Sequence, residues 1–208
     1  MMMGDRWYHG DSLIAVQLMH ELLGDHFHDL PAKQPWPISD WLALPLRRTG
    51  DVSHSSVGLL DNDLLKTTTL YKRFAEDDRL RLKMTKVRKG SGKFRDFMMK
   101  MPYSTTKTVT FHMNGDLDEV HRVLSTVVHI GKKAAIGGGE VIGLEVSAID
   151  EDRSMIADGK AAREIPVRML KSYDASYVIR RAYTFPYWDL RNVVDCVAPG
   201  GSCQLRTA

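Results

Sequence analysis

The stretch HIGKKAAIGGGEVIG, residues 129 to 143, sets Lys132 and Lys133 just ahead of Gly137, Gly138 and Gly139. Peptide N–H groups with no side chains around them can approach a phosphate closely, and two ammonium groups supply charge to hold it. The known nucleotide loops do not fit. A P-loop needs G-x-x-x-x-G-K-[ST], but Thr126 stands five residues before Gly131 and Lys133 follows Lys132. A dinucleotide fingerprint needs strand, glycines and then helix, whereas the pattern here reads helix, glycines, strand. Two readings are left: a loop that meets an extended phosphodiester, or a plain flexible turn.

A second set of residues has the types needed to move protons. His129 and His112, with Lys132 or Lys133 as electrostatic partner and Tyr103 or Tyr71 as a second acid, are side chains of the types that give and take protons. Against this, His129 follows Val127 and Val128 at the end of a helical pattern, where a histidine caps the dipole. His112 falls on the polar side of an alternating run. His20, Glu21, His26 and His28 lack the spacing of a metal site, and Cys196 has no nucleophile signature, so no metal and no cofactor is expected. Cys196 and Cys203 are read as reduced thiols, and AIDEDR (148 to 153) as a solvated turn.

Charge points to a polyanion. The net charge of +3 conceals a gradient: residues 1 to 70 hold 5 basic and 9 acidic side chains, residues 71 to 140 hold 15 and 8, and residues 141 to 208 hold 9 and 9. The middle third carries the positive field, and local potential is what attracts phosphates. No run approaches the roughly 18 apolar residues of a membrane span, and MMMGDRWYHGDS lacks the order of a secretory signal, which makes the cytoplasm the expected location.

The elements that must position these residues follow from periodicity. SLIAVQLMHELL (12 to 23) predicts a helix with Asp11 or Ser12 as N-cap and Gly24 as its stop, followed by a long proline-rich connection anchored by Trp36 and Trp41. LRLKMTKVR (80 to 88) alternates, predicting a strand with Arg79, Arg81 and Lys83 on one face. Lys86, Arg88, Lys89, Lys93 and Arg95 extend the cationic series around KGSGK, where Gly90 and Gly92 predict a turn. Residues 76 to 103 thus read as a basic hairpin. TVTFHMN (108 to 114) predicts a strand, and LDEVHRVLSTVVHIG a helix capped by Asp116 and Glu119 and ending at Gly131. EVIGLEVSAI predicts the next strand. Further alternation in IPVRML and YVIRRAYTF predicts more. With a first strand placed in MMMGDRWYH, this is the order of a ferredoxin-like βαββαβ unit.

Helix, IG-K-K, G-x-G and strand together resemble the glycine-rich loop of the CRISPR-associated RAMP superfamily. More narrowly, the chain is similar to the type IV effector-complex subunit of the Cas-five-like (Csf-three) group. The shared features are DSLIA, KGSGKFRDF, the NGD of Asn114 to Asp116, HIGKKAAIGGGEVIG, and FPYW at 185 to 188, where Phe185 replaces the first proline of a P-P-x-W pattern.

The resemblance implies an α+β, ferredoxin-like (RRM-like) RAMP fold. Residues 1 to 160 would form the core, with a basic β-hairpin insertion at about 71 to 104, and residues 161 to 208 a C-terminal β extension. It implies a non-catalytic RNA-binding subunit that grips the 5′ handle of the CRISPR RNA and caps the backbone filament. Its expected partners are the backbone RAMP subunits, the large subunit and target double-stranded DNA beside the protospacer-adjacent motif, with no membrane. Tyr71, Phe74, Phe94, Phe97 and Tyr103, interleaved with the cations, suit base stacking. A RAMP endoribonuclease acting through His129, His112 and Lys132 is the alternative, and a small-molecule domain the third.

Overall fold

The computed structural model describes the chain except residues 1, 4–6, 32, 33, 35, 37–41, 63, 75–80, 82, 84–87, 92–94, 133, 135, 136, 207 and 208. In chain order its elements are β1 (Met2–Met3), α1 (Gly10–Leu23), β2 (Arg48–Thr49), β3 (Val52–Ser53), β4 (Leu59–Leu60), β5 (Leu65–Lys72), β6 (Phe97–Ser104), β7 (Val109–Thr110) and α2 (Leu117–Leu124). The C-terminal part adds β8 (Ile156–Ala157), β9 (Lys160–Ala161), β10 (Ile165–Pro166), β11 (Leu170–Tyr173), β12 (Val178–Ala182), β13 (Val193–Val197) and β14 (Cys203–Leu205). All strand pairing among them is antiparallel, in small sheets ordered β1-β6-β5, β10-β13-β12, β11-β14, β2-β3, β4-β7 and β8-β9. The class is α+β.

Helix α1 buries Ile14, Ala15 and Met19 at helical spacing. Ile14 packs with Leu46 and with Val120 and Val123 of α2, while Ala15 and Met19 pack with Leu42 and the Trp36 and Phe185 rings. Helix α2 starts as its sequence predicts: the Asp116 carboxylate accepts from the Glu119 N–H at 3.0 Å. It ends at Leu124, seven residues short of Gly131. The Ser125 and Thr126 hydroxyls bond back to the His121 and Val123 carbonyls, and the β-branched Thr126, Val127 and Val128 do not continue the helix.

The opening strand lies in the N-terminal residues, as expected, with Met2 and Met3 paired to Ser104 and Tyr103. The basic hairpin has its first arm displaced from the expected place, while the second overlaps the segment expected for it. Its strands are β5 and β6, paired from Leu65↔Ser104 to Lys72↔Phe97. Most of residues 80 to 88 lies outside the described residues. Of the rest, Lys83 has φ 51°, which is left-handed and incompatible with a strand, and Gly90 does not take a positive φ. Of the run 108 to 114, Val109 and Thr110 form β7 and Met113 bridges Ser55.

After α2 the chain folds back on itself. His129 pairs with Glu140, the Ile130 N–H donates to the Gly139 carbonyl at 2.8 Å, and the Val141 N–H to the Val128 carbonyl at 2.9 Å. Gly139 sits at φ 65°, and a Cβ there would fall 1.8 Å from the Ile130 oxygen, so only glycine lets the two backbones approach. The strand expected over 140 to 149 does not form. Within it only Glu140 forms a bridge, and among the described residues no segment pairs with 142 to 149.

The largest core cluster lies C-terminal, where Met155, Ala161, Ile165, Leu170, Tyr183, Cys196, Val197 and Cys203 gather around Val52. Both cysteines are free and buried, and burial pushes the Cys196 thiol up to about 12. Beside this cluster Arg163 is wholly buried. Its guanidinium donates to the Ser53 and Ser55 carbonyls, to the Tyr183 carbonyl at 2.7 Å, to the Tyr187 hydroxyl at 2.7 Å and to Asp11 Oδ2 at 3.2 Å. The Tyr187 hydroxyl donates in turn to Asp11. Burial raises the Tyr187 phenol far above its ordinary range, with Asp11 and Glu164 adding to the effect. For Arg163 burial opposes the charge, and Tyr187, Asp11 and Glu164 more than restore it. The sequence reading places Asp11 or Ser12 as the N-cap. In the structure His9 occupies that position, and Asp11 turns inward to the guanidinium.

A second polar knot joins β2 and β3 to the loop before β8. Thr49 Oγ1 lies 2.8 Å from His54 Nε2, and His54 Nδ1 lies 3.3 Å from Asp152 Oδ2, which also accepts from Asn114 at 2.7 Å. Burial works against ionisation of Asp152. Hydrogen bonds from Ser154, Asn114 and His54 outweigh it and hold the carboxyl well below the usual range.

Three outcomes follow. Arg163→Met leaves Asp11 buried without its counter-charge and costs about 3–5 kcal/mol in denaturant unfolding, part of which Asp11→Leu in the same chain restores. Gly139→Ala costs about 1–2 kcal/mol or more by the same measurement, since backbone strain and a clash coincide. Gly137→Ala, in open space at φ 77°, costs no more than the strain. The folded pKa of Asp152 is depressed, so its contribution is full above about pH 4 and is lost as pH falls toward the folded value. The stability gap between wild type and Asp152→Asn therefore narrows in acid unfolding curves below that pH.

Candidate nucleic-acid interface

The β5–β6 pairing decides which hairpin side chains meet solvent. Residues paired across an antiparallel ladder share a face, so Thr69 with Lys100 and Tyr71 with Met98 stand together. Thr68 with Met101 and Lys66 with Tyr103 stand on the opposite side. Met101 is buried, which turns that second side toward the protein. Tyr71 and Met98 are 66% and 67% exposed, next to the exposed Lys100. An exposed tyrosine beside a lysine offers a flat apolar surface and a cation at one place.

Asp96 fixes the far end of the hairpin. Its carboxylate accepts from the Phe74 N–H at 2.8 Å, and its own N–H donates to the Lys89 carbonyl at 2.8 Å. Two points of the 73–96 connection are thereby held at the strand ends. Arg73, Arg81, Lys83, Arg88, Lys89 and Arg95 are all exposed. With Lys66, Lys72 and Lys100, nine cations face the single carboxylate of Asp96 among the described residues of 65 to 104. Arg79, Lys86 and Lys93, also expected in this surface, lie outside the described residues.

The glycine loop is built differently from its expectation. Lys132 and Gly137 are exposed, whereas Gly138 and Gly139 are buried and Lys133 lies outside the described residues. The bare backbone at 139 serves the close approach to Ile130, and with 138 also buried the pair is not an open cradle. The loop is paired with its own stem at 128 to 130, and the hairpin with β1, so separate ladders carry the two parts of the expected groove.

The two histidines considered for proton transfer belong to different pairings. The His112 N–H donates to Ser56 Oγ at 2.9 Å and its carbonyl accepts from the Ser56 N–H at 2.8 Å, while His129 stands across from Glu140. Because α2 stops at Leu124, His129 is not at a helix C-terminus. His20 stacks on Phe27 with ring centroids 3.5 Å apart, and burial followed by the nearby His28 lowers its pKa. His26 pairs with Asp29, and Arg122 engages Glu21 at 2.9 Å. No group of three metal-ligating side chains gathers among the described residues, and no helix among them is long and apolar enough to cross a membrane.

Sequence reasoning missed the Arg163 and Asp152 networks. Their partners lie up to 176 positions apart, as for Tyr187 and Asp11, and no local spacing announces such a pairing. The FPYW signature did mark the place, since its tyrosine is Tyr187.

A comparison with curated proteins gives no match. The family model described as CRISPR type IV associated protein Csf3 matches residues 59–199, more than half of the chain, and takes in the hairpin, the glycine loop, Arg163 and FPYW. The chain belongs to the Csf3 family of CRISPR type IV associated proteins.

Proposed function

We propose that the chain is a non-catalytic RNA-binding subunit of a type IV CRISPR ribonucleoprotein complex, and that the outer side of the β5–β6 hairpin grips the 5′ handle of the CRISPR RNA. The observation that carries this reading is the exposed Tyr71 set among exposed cations, with Asp96 the one carboxylate among the described residues of 65 to 104. Single-stranded RNA is held by phosphate contacts and by stacking of unpaired bases on aromatic rings, and this surface offers both. A ferredoxin-like RAMP core, capping of the backbone filament by contact with its RAMP and large subunits, and contact with target DNA belong to the same reading. Family membership supports it.

The binding centre moves relative to the sequence expectation. Arg81, Lys83, Arg88, Lys89 and Arg95 remain in it, joined by Arg73 and Lys100. Lys132 stays as an exposed cation on a separate loop, and Gly138 and Gly139 leave it because their amides are buried.

Fluorescence anisotropy with a short single-stranded RNA tests this over a salt series. If about six cations each neutralise one phosphate, the log–log slope is near −4, from roughly −0.7 per contact. Replacing Arg88, Lys89 and Arg95 together by alanine reduces the slope by about 2. Tyr71→Ala weakens binding by about 1–3 kcal/mol with the slope unchanged. Equal slopes for wild type and the triple variant would remove the hairpin from the interface. RNA cleavage in chelator by the wild-type chain would overturn the non-catalytic assignment.

A further inference from the structure

Residues 142–149, IGLEVSAI, have the composition of a strand and no strand partner. They follow directly on the ladder that joins 128–130 to 139–141 and run without turn or bend until Asp150. Among the described residues none hydrogen-bonds to their backbone. The reason is local: beyond Val128 the partner lane is vacated, because Val127 donates its N–H to Leu124 and the chain turns back into α2. The apolar side chains here are not sheltered either. Ile142 is 98% exposed, Val128 64%, Ile149 55% and Leu144 43%. Unpaired backbone beside uncovered apolar side chains is the template that an added strand completes.

Charge selects the occupant. Residues 140–152 carry five carboxylates and no lysine, arginine or histidine, and Glu140, Glu145 and Asp150 are exposed. Such a strip repels a phosphate backbone and attracts cations. We infer that residues 142–149 form a β-augmentation site for an extended segment of a partner protein, apolar at alternate positions and carrying lysine or arginine between them. The incoming strand takes the vacated lane in line with 128–130, with its apolar side chains on the face of Ile142 and Leu144 and its cations on the face of Glu145. The chain's own β5 stands at the end of its sheet and carries Lys66 and Lys72, but joining it to 142–149 of another copy is a head-to-tail contact, which leads to rings or fibres and not to a closed dimer. A different protein is therefore the fitting partner. The inference stands apart from the RNA reading, which concerns residues 65–104.

Amide hydrogen exchange on the full chain tests it, with a synthetic nonapeptide of alternating lysine and valine as probe and its glutamate–valine counterpart as control. At a peptide concentration ten times its Kd, exchange within 142–149 slows about tenfold, and added salt reverses the effect. The control peptide gives no slowing. Leu144→Pro, at an exposed position, abolishes the protection while the circular dichroism spectrum stays that of the wild type. Absence of protection at millimolar peptide overturns the proposal, as does equal protection by both peptides. Protection by RNA in place of the peptide would make the strip a nucleic-acid surface, and protection rising with protein concentration alone would make it a self-association surface. Either result also ends it. RNA titration reads out at the hairpin, so the two readings fail separately.

Discussion

A fully buried guanidinium is the constraint around which this molecule is arranged. Taking a charge out of water costs several kcal/mol even after relaxation, and it is tolerated only where opposite charge and acceptors surround it. Arg163 meets that condition by drawing on α1 through Asp11, on the β3 region through the Ser53 and Ser55 carbonyls, and on the C-terminal segment through Tyr183 and Tyr187. Glu164, equally buried, bonds His9 at 2.8 Å and faces Arg181 at 3.5 Å. Neither α1 nor the C-terminal sheets can shift without stranding one of these charges. Such a centre contributes less to net stability than an apolar core of the same volume, but it fixes how four segments meet.

Around that centre the surface is segregated by sign. The β5–β6 hairpin projects cations and a tyrosine, while the stretch from Glu140 to Asp152 projects carboxylates and aliphatic side chains. The two surfaces suit different chemistry: the first a polyanion with unpaired bases, the second a cationic polypeptide. Opposed fields on one small protein also work against misplacement, because a ligand whose charge suits one surface is repelled by the other.

How much of this was legible in the sequence depends on the range of the interaction. Local signals held: the apolar spacing of α1, the Asp116 cap of α2, the charge of the middle third and a first strand at the N-terminus. Signals that need a distant partner did not. The composition of 140–149 records β-propensity, but a strand exists only beside another, and none of the described residues pairs with 142–149. Three glycines read as open backbone, whereas at 139 the missing side chain makes room for Ile130. Asp11, two residues after the observed cap, read as a capping residue because its long-range claim from Arg163 has no local trace. The hairpin illustrates both cases, with its charge read correctly and its first arm displaced, since the partner of β6 over eight ladder pairs is β5, which precedes the expected hairpin.

The two cysteines carry a consequence of their own. Cys196 and Cys203 lie in β13 and β14, which pair with different neighbours in the C-terminal core, and no disulfide ties them. A thiol reagent in solvent reaches them only when those sheets part. The protein thus contains two native reporters of how often its C-terminal region breathes, readable by alkylation kinetics without any added label.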